Sequence, residues 1–352
     1  MLVAGILIAG LLIVAGWMAC QRKPSNARIG HRSAQVTTAG APIDAAKIET
    51  ASNLVAQRLW RLAFGAPLEA PPLGPADARV RDFICAILQV DELDPNYFPR
   101  RPTLMPQLLQ AVNDPSAAPD KLARMIAHDP VLTADVLRLA NSSLYRVSRA
   151  PIETIQRATV VCGVDALRGI LAAAMLRPVF RANRTNFPRL PRMLWDRTER
   201  AARAAELYAA KVHPEDRFEA QLIVLLSALG PLVVYSAALD GYARAPRLAP
   251  NPALFVELIG TLGPQMSRRI AGDWQTSPRL LSVFDKSGEE TLATALQVGE
   301  LFGTLSLLES QAVISREERR GILKNTRLPD DLVDGIWARL AGSAQTESAG
   351  VE

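Results

Sequence analysis

Eight arginines crowd into the 27 residues between Arg177 and Arg203: Arg177, Arg181, Arg184, Arg189, Arg192, Arg197, Arg200 and Arg203, set against only Asp196 and Glu199. A guanidinium presents a rigid fork of donors that matches phosphate or carboxylate bidentately, so such a cluster can bind an anionic ligand, an acidic partner domain or a membrane surface. The plainer alternative is a solvated loop and helix face. Only Phe180, Phe187 and Trp195 interleave with the cluster, too few aromatic platforms for a single-strand nucleic-acid groove. The other chemistry-bearing residues offer less. Of the three histidines, His31 lies in an aperiodic stretch, His128 beside a helix cap and His213 before Pro214 at a helix end, so each reads as a surface or capping residue rather than a ligand. Ser142, Ser143 and Ser227 have no identifiable base, which leaves a nucleophilic triad unsupported. Asp273, Asp285, Glu289 and Glu290 fall near helix ends, where carboxylates cap and solvate. Cys20, Cys85 and Cys162 form no CxxC, which argues against a disulfide framework or a zinc site and suits a reducing compartment. No phosphate-binding glycine loop or dinucleotide fingerprint occurs.

The elements that must position these residues read as a tight array of short helices from Pro99 to Phe180. Pro102 to Pro106 leads into Leu108, Leu109 and Val112 at helical spacing, stopped by Asn113-Asp114-Pro115. Pro119-Asp120 opens a second helix carrying Leu122, Met125 and Ile126. Asp129 is placed as the N-cap of the third, with Pro130 at the first helical position, where its missing N–H is not needed. That helix carries Leu132, Val136, Leu137, Leu139 and Ala140 and ends at Asn141, whose amide is expected to bond a nearby carbonyl or turn. A fourth helix runs from Ile152 to Val161, and after Gly163 a fifth is capped by Asp165. Helices this short depend on packing, so Leu108, Leu109, Leu122, Ile126, Leu132, Leu137 and Leu139 should share one core.

Read together, Leu104-Met105-Pro106, Asn113-Asp114-Pro115, Asp129-Pro130-Val131-Leu132, Leu137-Arg138-Leu139-Ala140-Asn141-Ser142, Tyr145, Ile152, Ile155 and Gly163 closely resemble the HDOD domain. The resemblance spans roughly Tyr97 to Leu308 and is strongest in its first half. It implies an all-helical relative of the HD phosphohydrolases that has lost the metal-binding residues and serves in bacterial signalling. On that comparison Arg197 stands where catalytic relatives carry their first histidine, Ser227 and Ala228 stand in the place of the HD dyad, and Gly299 falls at the last aspartate. Metal-assisted phosphoryl chemistry needs those ligands, so the resemblance implies a binding protein rather than an enzyme.

The remaining chain fits an all-α protein with a membrane anchor. Residues 1–20 carry no charge and are long enough to span a bilayer, and Arg22, Lys23, Arg28 and Arg32 follow with no acid before Asp44. By the positive-inside rule this predicts a single-pass inner-membrane helix with the N-terminus outside and the body in the cytoplasm. A flexible basic tether is expected over 21–42, a helical lead-in over 43–96, the HDOD domain over 97–308, C-terminal helices over 309–341 and a disordered tail over 342–352. Within the later part, helices are expected over Leu194 to Val212, Glu215 to Leu229, Ala253 to Leu262 and Pro264 to Trp274, and Ser315 with Glu318 should box the start of a short one. Cys85 is expected as a buried thiol. The chain has 40 basic and 35 acidic residues, a formal +5, too mild to imply nucleic acid, although residues 100–200 hold 16 basic against 8 acidic side chains. The expectation is therefore a membrane-anchored, non-catalytic HDOD protein without a cofactor, binding a signalling partner or an anionic ligand through Arg181, Arg184, Arg189, Arg192 and Arg197. A metal-dependent phosphohydrolase and a receptor for an anionic nucleotide are the alternatives.

Overall fold

Local punctuation and an apolar stripe define each helix, and the computed structural model describes them over residues 43–65, 73–90, 97, 99, 101–112, 119–146, 150–180, 186–285 and 290–341. No strand occurs among these residues. The helices are α1 (Ala45–Phe64), α2 (Pro75–Leu88), α3 (Met105–Val112), α4 (Pro119–Ala127), α5 (Pro130–Ala140), α6 (Ile155–Cys162), α7 (Val164–Leu176), α8 (Arg189–Val212), α9 (Arg217–Ser227), α10 (Leu229–Ala243), α11 (Pro252–Asp273), α12 (Pro278–Phe284), α13 (Glu290–Ser310), α14 (Arg316–Asn325) and α15 (Asp330–Ala341). Short 3-10 turns cover Arg177–Phe180 and Pro214–Asp216. The expected membrane helix over 1–20, the tether over 21–42, the tail over 342–352 and the arginines Arg181 and Arg184 lie outside the described residues.

The cap chemistry follows the sequence closely. Asp129 Oδ1 accepts from Val131 N at 2.9 Å and Leu132 N at 3.0 Å, which satisfies two donors that α5 leaves open. Ser315 does the same for Glu318 N at 3.1 Å. Asn141 closes α5 and ties it to the chain beyond: its Nδ2 donates to Leu137 O at 2.8 Å and Ile152 O at 2.7 Å, and its Oδ1 accepts from Ile152 N at 2.7 Å. One bond back to its own helix and two to Ile152, which is buried, make this side chain a structural clamp. Asn141→Ala should therefore destabilise by about 3 kcal/mol, near 1 kcal/mol for each bond lost, read as a lower urea midpoint with an unchanged slope.

Three expectations need correction. Gly163, at φ +83°, takes the N-cap position of α7, and Asp165 sits inside the first turn, 3.2 Å from Arg168 Nη1. A φ in that range is one that glycine alone adopts without strain, so the kink between α6 and α7 is set by the glycine rather than by a capping carboxylate. Leu137 is only half-buried, at the edge of the stripe that α5 packs toward α7, while Leu132, Val136, Leu139 and Ala140 are buried as expected. Leu108, Leu122, Ile126 and Leu132 do join the core. Cys85 is likewise half-buried.

Two departures from the sequence pattern involve prolines inside helices. Residues 252–273 form one helix through Pro264, where two were expected, and α8 begins at Arg189, running through Pro191. Pro191 lies in the first turn, where its N–H has no intrahelical acceptor. Pro264 removes an interior bond, and the apolar face of α11 against α10, including Phe255, Leu258, Leu262 and Met266, outweighs that loss. The break falls instead at Ala228, between α9 and α10. Ser267 Oγ bridges it, donating to Ser227 O at 2.8 Å and accepting from Gly230 N at 3.1 Å.

At the centre, α8 packs along α13, the most extensive helix pair, with α9 beside both and α1 across α13. Residues 214–243 and 290–310 are long and apolar enough to cross a membrane, with 83% and 72% of their apolar windows buried inside the protein. They are the core helices of this unit.

Candidate functional site

The side chains at the positions singled out by the resemblance converge only in part. Arg197 projects from α8 to α13, where its Nε donates to Thr304 Oγ1 at 2.8 Å and its Nη2 lies 3.8 Å from Glu300 Oε1. Thr304 is itself held by donating to Glu300 O at 2.7 Å. Ser227, at the end of α9, donates to Val224 O at 2.8 Å and stands 3.4 Å from the same Glu300 oxygen. Ala228 is buried in the break between α9 and α10. Gly299 does not face this group at all. A Cβ there would lie 2.6 Å from Ala201 O and 2.9 Å from Ala205 Cβ, so no side chain fits. The residue after it, Glu300, is the one that reaches Arg197 and Ser227, a feature that sequence comparison missed and that a one-residue shift along α13 would have found.

A divalent ion does not fit these residues. A metal site needs several anionic or neutral donors directed at one point, whereas here a fixed cation fills the space and a single carboxylate answers it. Among the described residues no three His, Cys, Asp or Glu side chains gather in a way that could hold a metal ion.

The arginine cluster divides into two sets. Arg189 and Arg192 are exposed at the start of α8, and the Arg192 side chain, 89% exposed, reaches only to 3.9 Å from Asp196. Arg197, Arg200 and Arg203 point inward. Arg200 Nη1 donates to Ser306 Oγ at 3.1 Å and to Ser306 O at 3.3 Å, and Arg203 pairs with buried Glu206, which also holds Arg217. The expectation of one solvated face therefore fails for these three, since α13 and Glu206 supply buried partners.

Between the end of α5, the Arg177–Phe180 turn, the first half of α8 and the end of α13 lies a cavity of about 700 Å³. Its polar lining includes Arg138, Arg177, Arg192 and Arg200, with Ser142, Ser143, Asp196 and Glu199. Phe180 and Trp195, with ring centroids 5.1 Å apart, form its apolar wall. Burial, reinforced by the neighbouring Asp196 charge, pushes the Glu199 carboxyl up to about 7. Sequence reasoning counted most of these arginines in its cluster, but it met Arg138 only inside a family motif and Glu199 only as a counter-charge, because their place in the cavity depends on α5 meeting α8 in space.

The sequence profile of the HDOD domain family matches residues 98–287, more than half of the chain. The chain belongs to the HDOD domain family. Among solved structures it is similar to a protein of Shewanella amazonensis SB2B provisionally named a metal-dependent phosphohydrolase, with a TM-score of 0.54 and 16% identity over 77% of this chain and 100% of that one. It is also similar to an HDOD domain protein of Geobacter sulfurreducens with unknown function, with a TM-score of 0.52 and 20% identity over 78% and 97% of the two chains. These likenesses establish a shared fold. No curated protein matches the chain. Within this HDOD chain, the Arg197–Glu300–Ser227 group and the arginine-lined cavity are both built on α8, on its two sides facing α13 and α5.

Proposed function

We propose that this HDOD protein is non-catalytic and acts in bacterial signal transduction by binding a partner protein or a regulatory ligand. The observation that carries the reading is the Arg197 guanidinium, bonded to Thr304 and facing Glu300, at the position the resemblance assigns to a metal-binding histidine. A cation fixed there repels the divalent ion that phosphoryl chemistry would need. The closed space at Gly299 supports the same reading. The uncharged residues 1–20, followed by a basic stretch, support an inner-membrane anchor that leaves the HDOD domain in the cytoplasm.

The reading is tested on the full-length protein by elemental analysis together with hydrolysis of bis-p-nitrophenyl phosphate. The expected outcome is no stoichiometric Mn, Fe or Zn and no hydrolysis above background when any of these ions is added. About one ion per chain accompanied by hydrolysis would overturn it in favour of a phosphohydrolase.

A further inference from the structure

We propose that the cavity between α5, the Arg177–Phe180 turn and α8 binds a small molecule through a doubly charged phosphate-type oxyanion, with Arg177 and Arg138 as its principal cations and Glu199 as the acid beside them in its lining. This rests on the reading of the protein as a binding module and supplies the class of ligand that reading leaves open. The volume, about 700 Å³, falls within the range of small-molecule sites. Four guanidinium groups line it against two carboxyls, Asp196 and Glu199.

The arginines are not equivalent. Arg200 is engaged by Ser306, and Arg192 is turned to solvent. Arg138 is paired with Asp135 at 2.7 Å on its own helix and lines the cavity. Arg177 differs from all of them, because its Nη1 is sealed from water and has no hydrogen-bond acceptor among the described residues. A buried charged donor left without an acceptor is unfavourable, and because Arg177 lines the cavity, turning its guanidinium fork toward an oxyanion there supplies the missing acceptor. The fork geometry also favours a tetrahedral oxyanion over a lone halide.

The charge on Glu199 sets how strongly the site attracts an anion. It is faced by Asp196 and Arg200 on α8, by Arg138 on α5, by Tyr145 in the turn after α5, and by the indole of Trp195; Arg177 completes the lining. Near pH 7 its carboxyl is partly protonated, since burial holds it at about 7. Protonation removes a negative charge from the cavity, so anion affinity rises as pH falls through that value and declines above it. The other acid, Asp196, is a carboxylate beside Arg192 at the rim.

The test is calorimetric titration of the full-length protein at low ionic strength with sulfate, which stays dianionic from pH 6 to 8, and with AMP as a phosphomonoester, using adenosine as the uncharged control. Saturable binding of sulfate and AMP but not of adenosine is expected, with affinity for sulfate several-fold weaker at pH 8 than at pH 6. Glu199→Gln should abolish that pH dependence and hold the tighter value throughout. Arg177→Met should weaken both probes about tenfold, and Arg138→Met, at a rim position that tolerates change, should weaken them as well if Arg177→Met proves poorly folded by its thermal melt. Absence of saturable binding, or binding unchanged in both arginine variants, would overturn the proposal. That outcome in protein free of stoichiometric metal would leave the non-catalytic reading standing, whereas a metal-loaded, hydrolytic protein would remove that reading whatever the cavity binds.

Discussion

Gly299→Asp should prevent the chain from reaching its native fold, and it should create no metal site. The substitution restores a carboxylate at the position that the resemblance assigns to a ligand, so the naive expectation is a gain of metal binding. The packing dictates the opposite. Gly299 and Gly303 lie one turn apart on α13 and face Ala201 and Ala205, one turn apart on α8, so that the two backbones touch. A Cβ at 299 would stand 2.6 Å from Ala201 O, and one at 303 would stand 2.6 Å from both Ala201 N and Ala201 Cβ. Backbone cannot swing aside as a flexible side chain can, so α8 and α13 must separate along their whole contact. Overpacking of that kind adds to the burial of an unpaired carboxyl, and together they should remove on the order of 4 kcal/mol or more, a large part of the stability of an ordinary domain. Thermal unfolding followed by circular dichroism should show a lost or strongly lowered transition. Glu300→Ala, at a partly exposed side chain one residue away, should shift it little. A native-like melt for Gly299→Asp, with a bound ion, would show that the helices can part and that the metal-site reading was dismissed wrongly.

Glu206→Ala should be nearly as damaging, for an electrostatic reason. The Glu206 side chain is only 2% exposed and accepts from both Arg203 Nη1 and Arg217 Nη2. Arg203, itself buried, also lies over the Tyr145 ring at 5.6 Å, and the Tyr145 hydroxyl accepts from Gln221 Nε2 at 2.9 Å. This network joins the turn after α5 to α8 and α9. Removing the carboxylate strands the Arg203 charge away from water, which typically destabilises by about 3 to 5 kcal/mol. Arg217, one-third exposed, can turn to solvent and adds less. The double change Glu206→Met with Arg203→Met removes both buried charges and should recover most of the loss, because a buried ion pair and apolar side chains of similar volume differ little in net stability. Urea denaturation of the three proteins measures this. Equal destabilisation of the single and double variants would mean that shape, not charge, holds the junction.

Much of the first half of the HDOD domain, and the Ser315 cap beyond the domain, was legible in the sequence because the determinants are local. Asp129, Ser315 and Asn141 act on backbone groups a few residues away, or on a single neighbouring turn, and their spacing to Val131, Glu318 and Ile152 is fixed by chain connectivity. Proline and asparagine between apolar stripes at 3.6-residue spacing then mark where each helix starts and stops. Where the sequence misled, a distant surface had intervened. Pro264 reads as a stop, yet α11 continues because its apolar face is buried against α10, and Leu137 reads as core, yet the neighbouring Val136 and Leu139 take the buried positions against α7.

The chain by itself therefore determined the helical class, the HDOD pattern, the caps and the presence of a dense arginine run. It did not determine what any arginine in that run does. Arg192 and Arg197 are five residues apart on one helix, and nothing in their spacing distinguishes a solvated side chain from one bonded to α13. Only the tertiary structure decided it, by bringing Thr304, Glu300 and Ser306, about a hundred residues later in the chain, against one face of α8, and Arg138 of α5 toward the other. A guanidinium goes where acceptors allow it to leave water, and those acceptors belong to whichever helix the fold sets opposite.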